Sequence, residues 1–241
     1  MIGPSMSGKS VKVLKLLEND QSIFDRQFHQ VMYASPTAQD TDYGYLRQMQ
    51  NVCDGTKKKL VIVDRVPTVK EVREYFATEP VLLILDDVMC FQDKSTLIVL
   101  SSMHVHHSQI SVIFCIQNPY EKGNAKFNVQ SLSRNCTGRF LFHQVSDKLV
   151  FRFLNLSLFP EKKNFLSECI SFAKSQYKLN YIYVNCEYFT NLPENYRCYT
   201  GLFPGESETP IFFDACKKTP EIKVVSGAEI RSVRLSGTQG Q

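Results

Sequence analysis

The sequence lacks the features that mark several broad classes of protein. It has no tryptophan, and its eight cysteines include no Cys-x-x-Cys pair, which argues against a zinc ribbon and against a dithiol redox motif. No apolar run is long enough to span a bilayer, and no signal peptide is recognisable. The net charge of +4 is too small to indicate a strongly basic surface for nucleic acid. These absences favour an intracellular protein in a reducing compartment, without membrane association.

Apolar runs typical of buried strands alternate with segments of helical periodicity. Strands are predicted for residues 30–34, 60–63, 81–85, 110–116 and 139–143, and helices for residues 11–19, 41–51, 68–78 and 94–107. The run 81–85 is wholly apolar, as expected for a strand covered by helices on both faces of its sheet. The three lysines 57–59 are interpreted as a charged turn before the second strand. The pattern predicts an α/β fold, a three-layer sandwich with a mostly parallel sheet.

The chain beyond the fifth predicted strand has a different character. One amphipathic helix is predicted over residues 160–177, followed by edge strands at 181–184 and 210–213. From about residue 217 the aromatic residues disappear, and we expect a polar, mobile tail there. The predicted organisation is therefore a core over residues 1–143, a C-terminal extension over 144–216 and a tail over 217–241.

A glycine-containing loop near the start of the chain has the spacing Gly-x-x-x-x-Gly-Lys-Ser. It consists of Gly3, Pro4, Ser5, Met6, Ser7, Gly8, Lys9 and Ser10, with Val11 directly after it. Glycines let backbone N–H groups curl around a phosphate, and the following helix adds the positive end of its dipole. Lys9 would then reach the β and γ phosphates of ATP, and the Ser10 hydroxyl would ligate Mg²⁺. The alternative is a glycine-rich turn before an ordinary helix.

Two adjacent carboxylates end the most apolar strand. Asp86 and Asp87 follow residues 81–85, a pattern in which one carboxylate holds a metal ion and the next polarises an attacking water. Helix N-capping is the simpler explanation for such a pair taken alone. Two other predicted strands lie between the loop and these residues, as in P-loop ATPases of the additional-strand class. Gln117, at the tip of the next buried strand, occupies the place of a polar residue that senses the γ-phosphate and orients water.

Several segments together resemble the FtsK-HerA-type genome-packaging ATPases of large DNA viruses, virophages and Maverick/Polinton elements. The segments are residues 3–10, 82–87, the pair His106-His107 followed by 110–118, and Arg134-Asn135. The resemblance covers roughly residues 3–143 and extends faintly to 203. It implies an ATP-hydrolysing motor that assembles as a homo-oligomeric ring on duplex DNA and drives a genome into a capsid, with a capsid protein as partner. It also implies a location in the host cytoplasm or nucleus, or with the virion.

The resemblance assigns roles to individual positions. Asp86 matches the metal carboxylate, Asp87 the water-activating carboxylate and Gln117 the γ-phosphate sensor. Arg134 is the candidate arginine finger and Arg139 the second choice, although Arg134 would alternatively cap the turn at Asn135. His104 and His107 would share a helical face, but no cysteine or carboxylate accompanies them, which disfavours a metal site.

One departure from the family concerns the strand before the loop. The family buries a strand there, whereas only Met1 and Ile2 precede Gly3, so we expect this strand to be missing or truncated. A catalytically degenerate nucleotide-binding or assembly protein, derived from such an ATPase, is therefore a second hypothesis. A kinase would need an arginine-rich lid and a GTPase an Asn/Thr-Lys-x-Asp motif, and we find neither in the sequence.

Overall fold

The computed structural model describes most of the chain and divides it into two compact units. The described residues are 1–24, 26–38, 43–77, 79–101, 109–118, 132, 135–143, 148–160, 162, 164–186, 198–206, 211–213 and 222–224. The first unit comprises Met1–Cys136 and the second Thr137–Gln241. No helix among these described residues is long and apolar enough to cross a membrane.

The first unit is built on a four-stranded parallel sheet. Its strands are β1 (Gln30–Ala34), β2 (Lys59–Val63), β3 (Val81–Leu85) and β4 (Ile110–Phe114), in the order β2-β1-β3-β4. All five residues of β3 are buried, as a central strand covered on both faces requires. The strands pair in register, so their carboxyl ends lie side by side. The predicted α/β class with a mostly parallel sheet is thereby confirmed.

A two-residue stub extends this sheet beyond β4. Ile2 forms a parallel bridge with Ile116, and the Ile116 N–H donates to the Met1 carbonyl at 2.8 Å. The Gly3 N–H in turn donates to the Ile116 carbonyl at 3.0 Å. The strand β4 therefore lies between β3 and the segment that leads into the glycine loop. These hydrogen bonds tie the start of the loop to the sheet.

Helices connect the strands of the first unit. They are α1 (Lys9–Glu18), α2 (Asp20–Ile23), α3 (Tyr43–Gly55), α4 (Val69–Phe76) and α5 (Lys94–Leu100). The Thr68 side chain caps α4 by accepting from the Glu71 N–H at 3.2 Å, and the Glu71 carboxylate accepts from the Thr68 N–H at 2.7 Å. Four of these helices match predicted ones. The single turn α2 was not predicted, because four residues are too few to show a helical period. Residues 102–107 of the last predicted helix lie outside the described residues.

The second unit contains an antiparallel sheet. Its strands β5 (Gly138–Phe142), β6 (Tyr181–Asn185) and β7 (Cys198–Tyr199) have the order β5-β6-β7, and its helices are α6 (Lys148–Leu158) and α7 (Phe165–Tyr177). A separate antiparallel pair is formed by β8 (Ile211–Phe213) and β9 (Ile222–Val224).

Several expectations for this region were wrong. The strand at 139–143 pairs with β6 in the second unit instead of extending the parallel sheet. β6 is central, since it has a partner on each side, and the expected tail contains β9. The helix predicted over residues 160–177 begins later, as α7, and α6 was not predicted. The buried Asn155 side chain fixes the turn between α6 and α7. Its amide donates to the Phe159 carbonyl at 3.2 Å and its carbonyl accepts from the Leu166 N–H at 2.9 Å.

Candidate nucleotide-binding site

The glycine loop makes a compact turn directly before α1. The Ser7 N–H donates to the Pro4 carbonyl at 3.3 Å, and the Lys12 N–H donates to the Gly8 carbonyl at 3.0 Å. Gly8 has φ 95°, a left-handed conformation that a side chain would strain, which explains the glycine at this position. Met6 also has a positive φ, 60°, and its side chain is fully exposed at the loop surface. The predicted arrangement of a loop followed at once by a helix starting at Lys9 is present.

The Lys9 ammonium folds back onto the loop that precedes it. Its Nζ atom donates to the Gly3 carbonyl at 2.7 Å and to the Pro4 carbonyl at 2.9 Å, and the residue is buried. Burial lowers the pKa of Lys9, whereas the nearby carboxylates of Asp86 and Asp87 act in the opposite direction. A buried ammonium held by neutral carbonyls is available to an incoming anion, which would offer a stronger hydrogen-bond acceptor.

Asp86 lies immediately beyond β3, with its backbone anchored by a hydrogen bond from its N–H to the Ala34 carbonyl at 2.9 Å. Its Oδ2 atom accepts from the Tyr33 hydroxyl at 3.0 Å, and its Oδ1 atom accepts from the Asp87 N–H at 3.0 Å. Burial raises the pKa of the Asp86 carboxyl, and the Tyr33 hydrogen bond opposes that rise. The carboxylate is therefore held by two donors and retains free lone pairs.

Asp87 and Gln117 form a second polar pair at the same edge of the sheet. The Gln117 side-chain amide donates to Asp87 Oδ1 at 3.2 Å, across 30 positions of sequence. Asp87 has φ 48° and ψ 46°, a left-handed conformation that costs a non-glycine residue some strain. The 3₁₀ turn Val88–Cys90 follows it directly. The strained backbone turns the Asp87 carboxylate toward the end of β4, where Gln117 lies.

The structure brings four of the predicted site residues together. Lys9, Asp86, Asp87 and Gln117 converge where the parallel strands end, the usual place for ligands in open α/β sheets. Ser10 is the second residue of α1 and is half-buried, while Val11 is exposed.

The donors at this edge suit Mg²⁺ bound together with phosphate. Among the described residues there is no group of three or more His, Cys, Asp or Glu side chains that would enclose a metal ion. Mg²⁺ at nucleotide sites takes one or two protein oxygens and completes its shell with phosphate oxygens and water. Asp86, with free carboxylate lone pairs, and the Ser10 hydroxyl supply donors of that kind.

Of the two candidate arginine fingers, only Arg139 belongs to the described residues. Arg134 and the histidines 104, 106 and 107 lie outside the described residues, so the finger assignment to Arg134 stays a prediction. Arg139, the second choice, is buried on β5 of the second unit with 7% of its surface exposed. A finger has to project toward a neighbouring subunit, and this burial argues against Arg139 in that role.

Two tyrosines near Asp86 were not identified from the sequence. Tyr33 pairs with Ile84 across β1 and β3, and Asp86 is two residues beyond Ile84. Because side chains alternate along a strand, Tyr33 and Asp86 point to the same side. The ring of Tyr45, on α3, meets the Tyr33 ring edge-on at 6.0 Å between centroids. The sequence contains this information only once the register of β1 on β3 is known.

No protein-family model matches this chain, and no curated protein is significantly similar to it in sequence.

Proposed function

We propose that this protein binds ATP with Mg²⁺ at the Gly3–Ser10 loop and hydrolyses it. The observation that carries the proposal is the position of Lys9, whose ammonium rests on loop carbonyls near the carboxylates of Asp86 and Asp87. The strand order supports it, since β4 separates the stub before the loop from β3, which Asp86 directly follows. That order is the one expected of an additional-strand P-loop ATPase.

Each side chain of the proposed site has a separate role in binding or hydrolysis. Lys9 exchanges its carbonyl partners for the β and γ phosphates, and Ser10 with Asp86 would hold Mg²⁺. The metal, when bound, neutralises charge that develops on the phosphate oxygens. Asp87 accepts a proton from the attacking water, and Gln117, already hydrogen-bonded to Asp87, orients that water.

The resemblance to genome-packaging ATPases supports a more specific role as a motor subunit. In that role, neighbouring copies close a ring around duplex DNA, and Arg134 of one copy completes the site of the next. DNA would be held through its phosphates without regard to sequence. Since the net charge is only +4, firm binding requires several subunits acting together. A capsid protein is the expected further partner.

The motor proposal is tested by ATPase rate per subunit, measured against protein concentration with and without duplex DNA. We expect the rate to rise with concentration and with DNA, and the DNA effect to weaken steeply with salt. Arg134→Ala should retain nucleotide binding and lose the increase that assembly provides. A flat rate that ignores DNA would contradict the motor. Nucleotide binding without turnover would instead establish the degenerate nucleotide-binding protein.

A further inference from the structure

The Tyr33 hydroxyl is one of two groups that hold the Asp86 carboxylate in place. It donates to Oδ2 at 3.0 Å, while the Asp87 N–H donates to Oδ1 at 3.0 Å. Each carboxylate oxygen thus has one fixed donor and keeps a lone pair for another partner. The two donors restrict rotation about the side-chain torsions of Asp86, so the free lone pairs keep one direction.

The structure favours Tyr33 as a permanent donor to Asp86. Tyr33 is buried, with 1% of its surface exposed, and its hydroxyl donates to Asp86 Oδ2 at 3.0 Å. The edge-on contact with Tyr45 limits the movement of the ring.

Tyr45 offers an internal comparison. It belongs to the same ring pair, and its hydroxyl oxygen is buried but forms no hydrogen bond within the described part of the chain. Replacing Tyr45 by Phe removes a hydroxyl that has no hydrogen-bond partner among the described residues, whereas the same change at Tyr33 removes the donor to Asp86. Each substitution removes one hydroxyl group, and the two aromatic rings lie next to each other.

We infer that Tyr33 is a positioning residue for metal binding: its hydroxyl aims the Asp86 carboxylate at the place where Mg²⁺ accompanies the nucleotide. The inference rests on the proposed function. Groups that hydrogen-bond to metal ligands typically contribute about 10–100-fold to metal affinity, because they fix the direction of the ligand's lone pairs. A purely structural hydroxyl would instead affect the stability of the fold and leave the requirement for Mg²⁺ unchanged.

The test is a Mg²⁺ titration of fluorescent ATP-analogue binding to the full chain, for the wild type, Tyr33→Phe and Tyr45→Phe. Tyr33→Phe should raise the half-saturating Mg²⁺ concentration by about tenfold or more. Its affinity for the nucleotide in EDTA should stay within about twofold of wild type, because Lys9 and the loop are unchanged. Tyr45→Phe should leave both quantities as in the wild type.

A double-mutant cycle with Asp86→Asn makes the test independent of any loss of stability in Tyr33→Phe. If Tyr33 acts through Asp86, adding Tyr33→Phe to Asp86→Asn should not raise the Mg²⁺ requirement further. An unchanged requirement in Tyr33→Phe, an equal shift in Tyr45→Phe, or full additivity in the cycle would overturn the inference while leaving ATP binding intact. A wild-type protein that binds no nucleotide at all would overturn the proposed function, and this inference with it.

Discussion

Two buried lysines lie at opposite edges of the parallel sheet and differ in their partners. Lys58, just before β2 at the amino ends of the strands, donates to Asp20 Oδ2 at 2.9 Å. Lys9, at the carboxyl ends, donates only to the carbonyls of Gly3 and Pro4 among the described residues. Lys58 and Lys9 are buried to a similar degree, with 5% and 8% of their surfaces exposed. Their burial alone therefore does not distinguish a structural lysine from a functional one.

The difference lies in how completely the protein neutralises each charge. Asp20 Oδ2 also accepts from the Phe28 N–H at 2.9 Å, so the pair of Lys58 and Asp20 has a third partner, which lies just before β1. The Lys9 charge faces carboxylates that it does not touch and carbonyls that a phosphate would replace. In the proposed function, this buried cation without a dedicated anion marks the edge of the sheet at which the nucleotide would bind.

The largest expected effect is at the amino edge. Asp20→Ala leaves Lys58 buried without its carboxylate, and breaking a buried pair in this way costs about 3–5 kcal/mol. Urea unfolding monitored by circular dichroism measures the loss. Replacing Lys58 by Met together with Asp20→Ala should recover part of the stability, because no unpaired charge then remains. A loss below about 1 kcal/mol in Asp20→Ala would mean that the two lysines do not differ as described.

At the carboxyl edge, Asp87→Asn should change turnover and leave binding unchanged. The amide cannot accept a proton from water, and such a general base contributes about 10²–10⁴-fold to rate. We expect a reduction of kcat by at least about 10²-fold, with the ATP dissociation constant within about twofold of wild type. Single-turnover hydrolysis and equilibrium binding give the two values. An equal loss of binding would show that Asp87 contacts the nucleotide and not the water.

Lys9→Ala should weaken Mg²⁺-ATP binding by about tenfold or more, which corresponds to about 1.4 kcal/mol. The substitution removes the charge that faces the β and γ phosphates. In contrast to Asp20→Ala, it should not destabilise the nucleotide-free fold, since a buried ammonium without a paired anion is itself costly. Isothermal titration calorimetry measures the affinity. Lys15→Ala, on the same helix and with the same change of charge, is the control and should bind ATP as the wild type does.

The carboxyl edge was more predictable from the sequence than the amino edge, and local spacing explains why. Lys9 lies within an eight-residue motif, and Asp86 directly follows an apolar run that ends with it. Lys58, by contrast, was interpreted as part of a charged turn. Its partner Asp20 is 38 positions away, and only the folded sheet brings the two together. Local sequence patterns identify groups at strand ends that would contact a ligand. They do not identify pairs of residues that only the tertiary fold brings together.

The second unit shows the same limit for backbone structure. The strand β5 was predicted over residues 139–143, but its partner was not, since an apolar run does not encode the direction of its neighbour. Gly138 indicates the actual partner, because a Cβ atom there would lie 2.1 Å from the Tyr183 hydroxyl oxygen of β6. This close approach can be recognised only once the register of β5 on β6 is known. In the same way, the position of Tyr33 beside Asp86 requires the register of β1 on β3.

The smallest expected effect is at Glu71. It tests whether the role of a charged side chain depends on its hydrogen-bonding partner or on its position near the carboxyl ends of the strands. Glu71 belongs to the connection that follows the carboxyl end of β2, but its carboxylate is satisfied within the protein. The Arg65 guanidinium, and then the Thr68 N–H, lower the pKa of Glu71 to about 2. A depressed pKa in the folded state contributes stability above the ordinary glutamate pKa, and that contribution is lost as pH falls toward 2. Glu71 should therefore behave as a structural group despite its position.

We expect Glu71→Gln to lower the unfolding midpoint slightly at pH 7, with no change in ATP binding. The difference from wild type should shrink as pH falls from 5 toward 2, because protonation of Glu71 removes the same charge in the wild type. Glu74→Gln is the matched control on the same helix, since Glu74 is exposed and lies 3.9 Å from Lys70 in a surface pair that contributes little. Thermal unfolding followed over this pH range measures both variants. If Glu71→Gln instead weakened ATP binding at constant stability, position at the carboxyl edge would matter more than the partner. The difference between Lys9 and Lys58 would then need an explanation other than their partners.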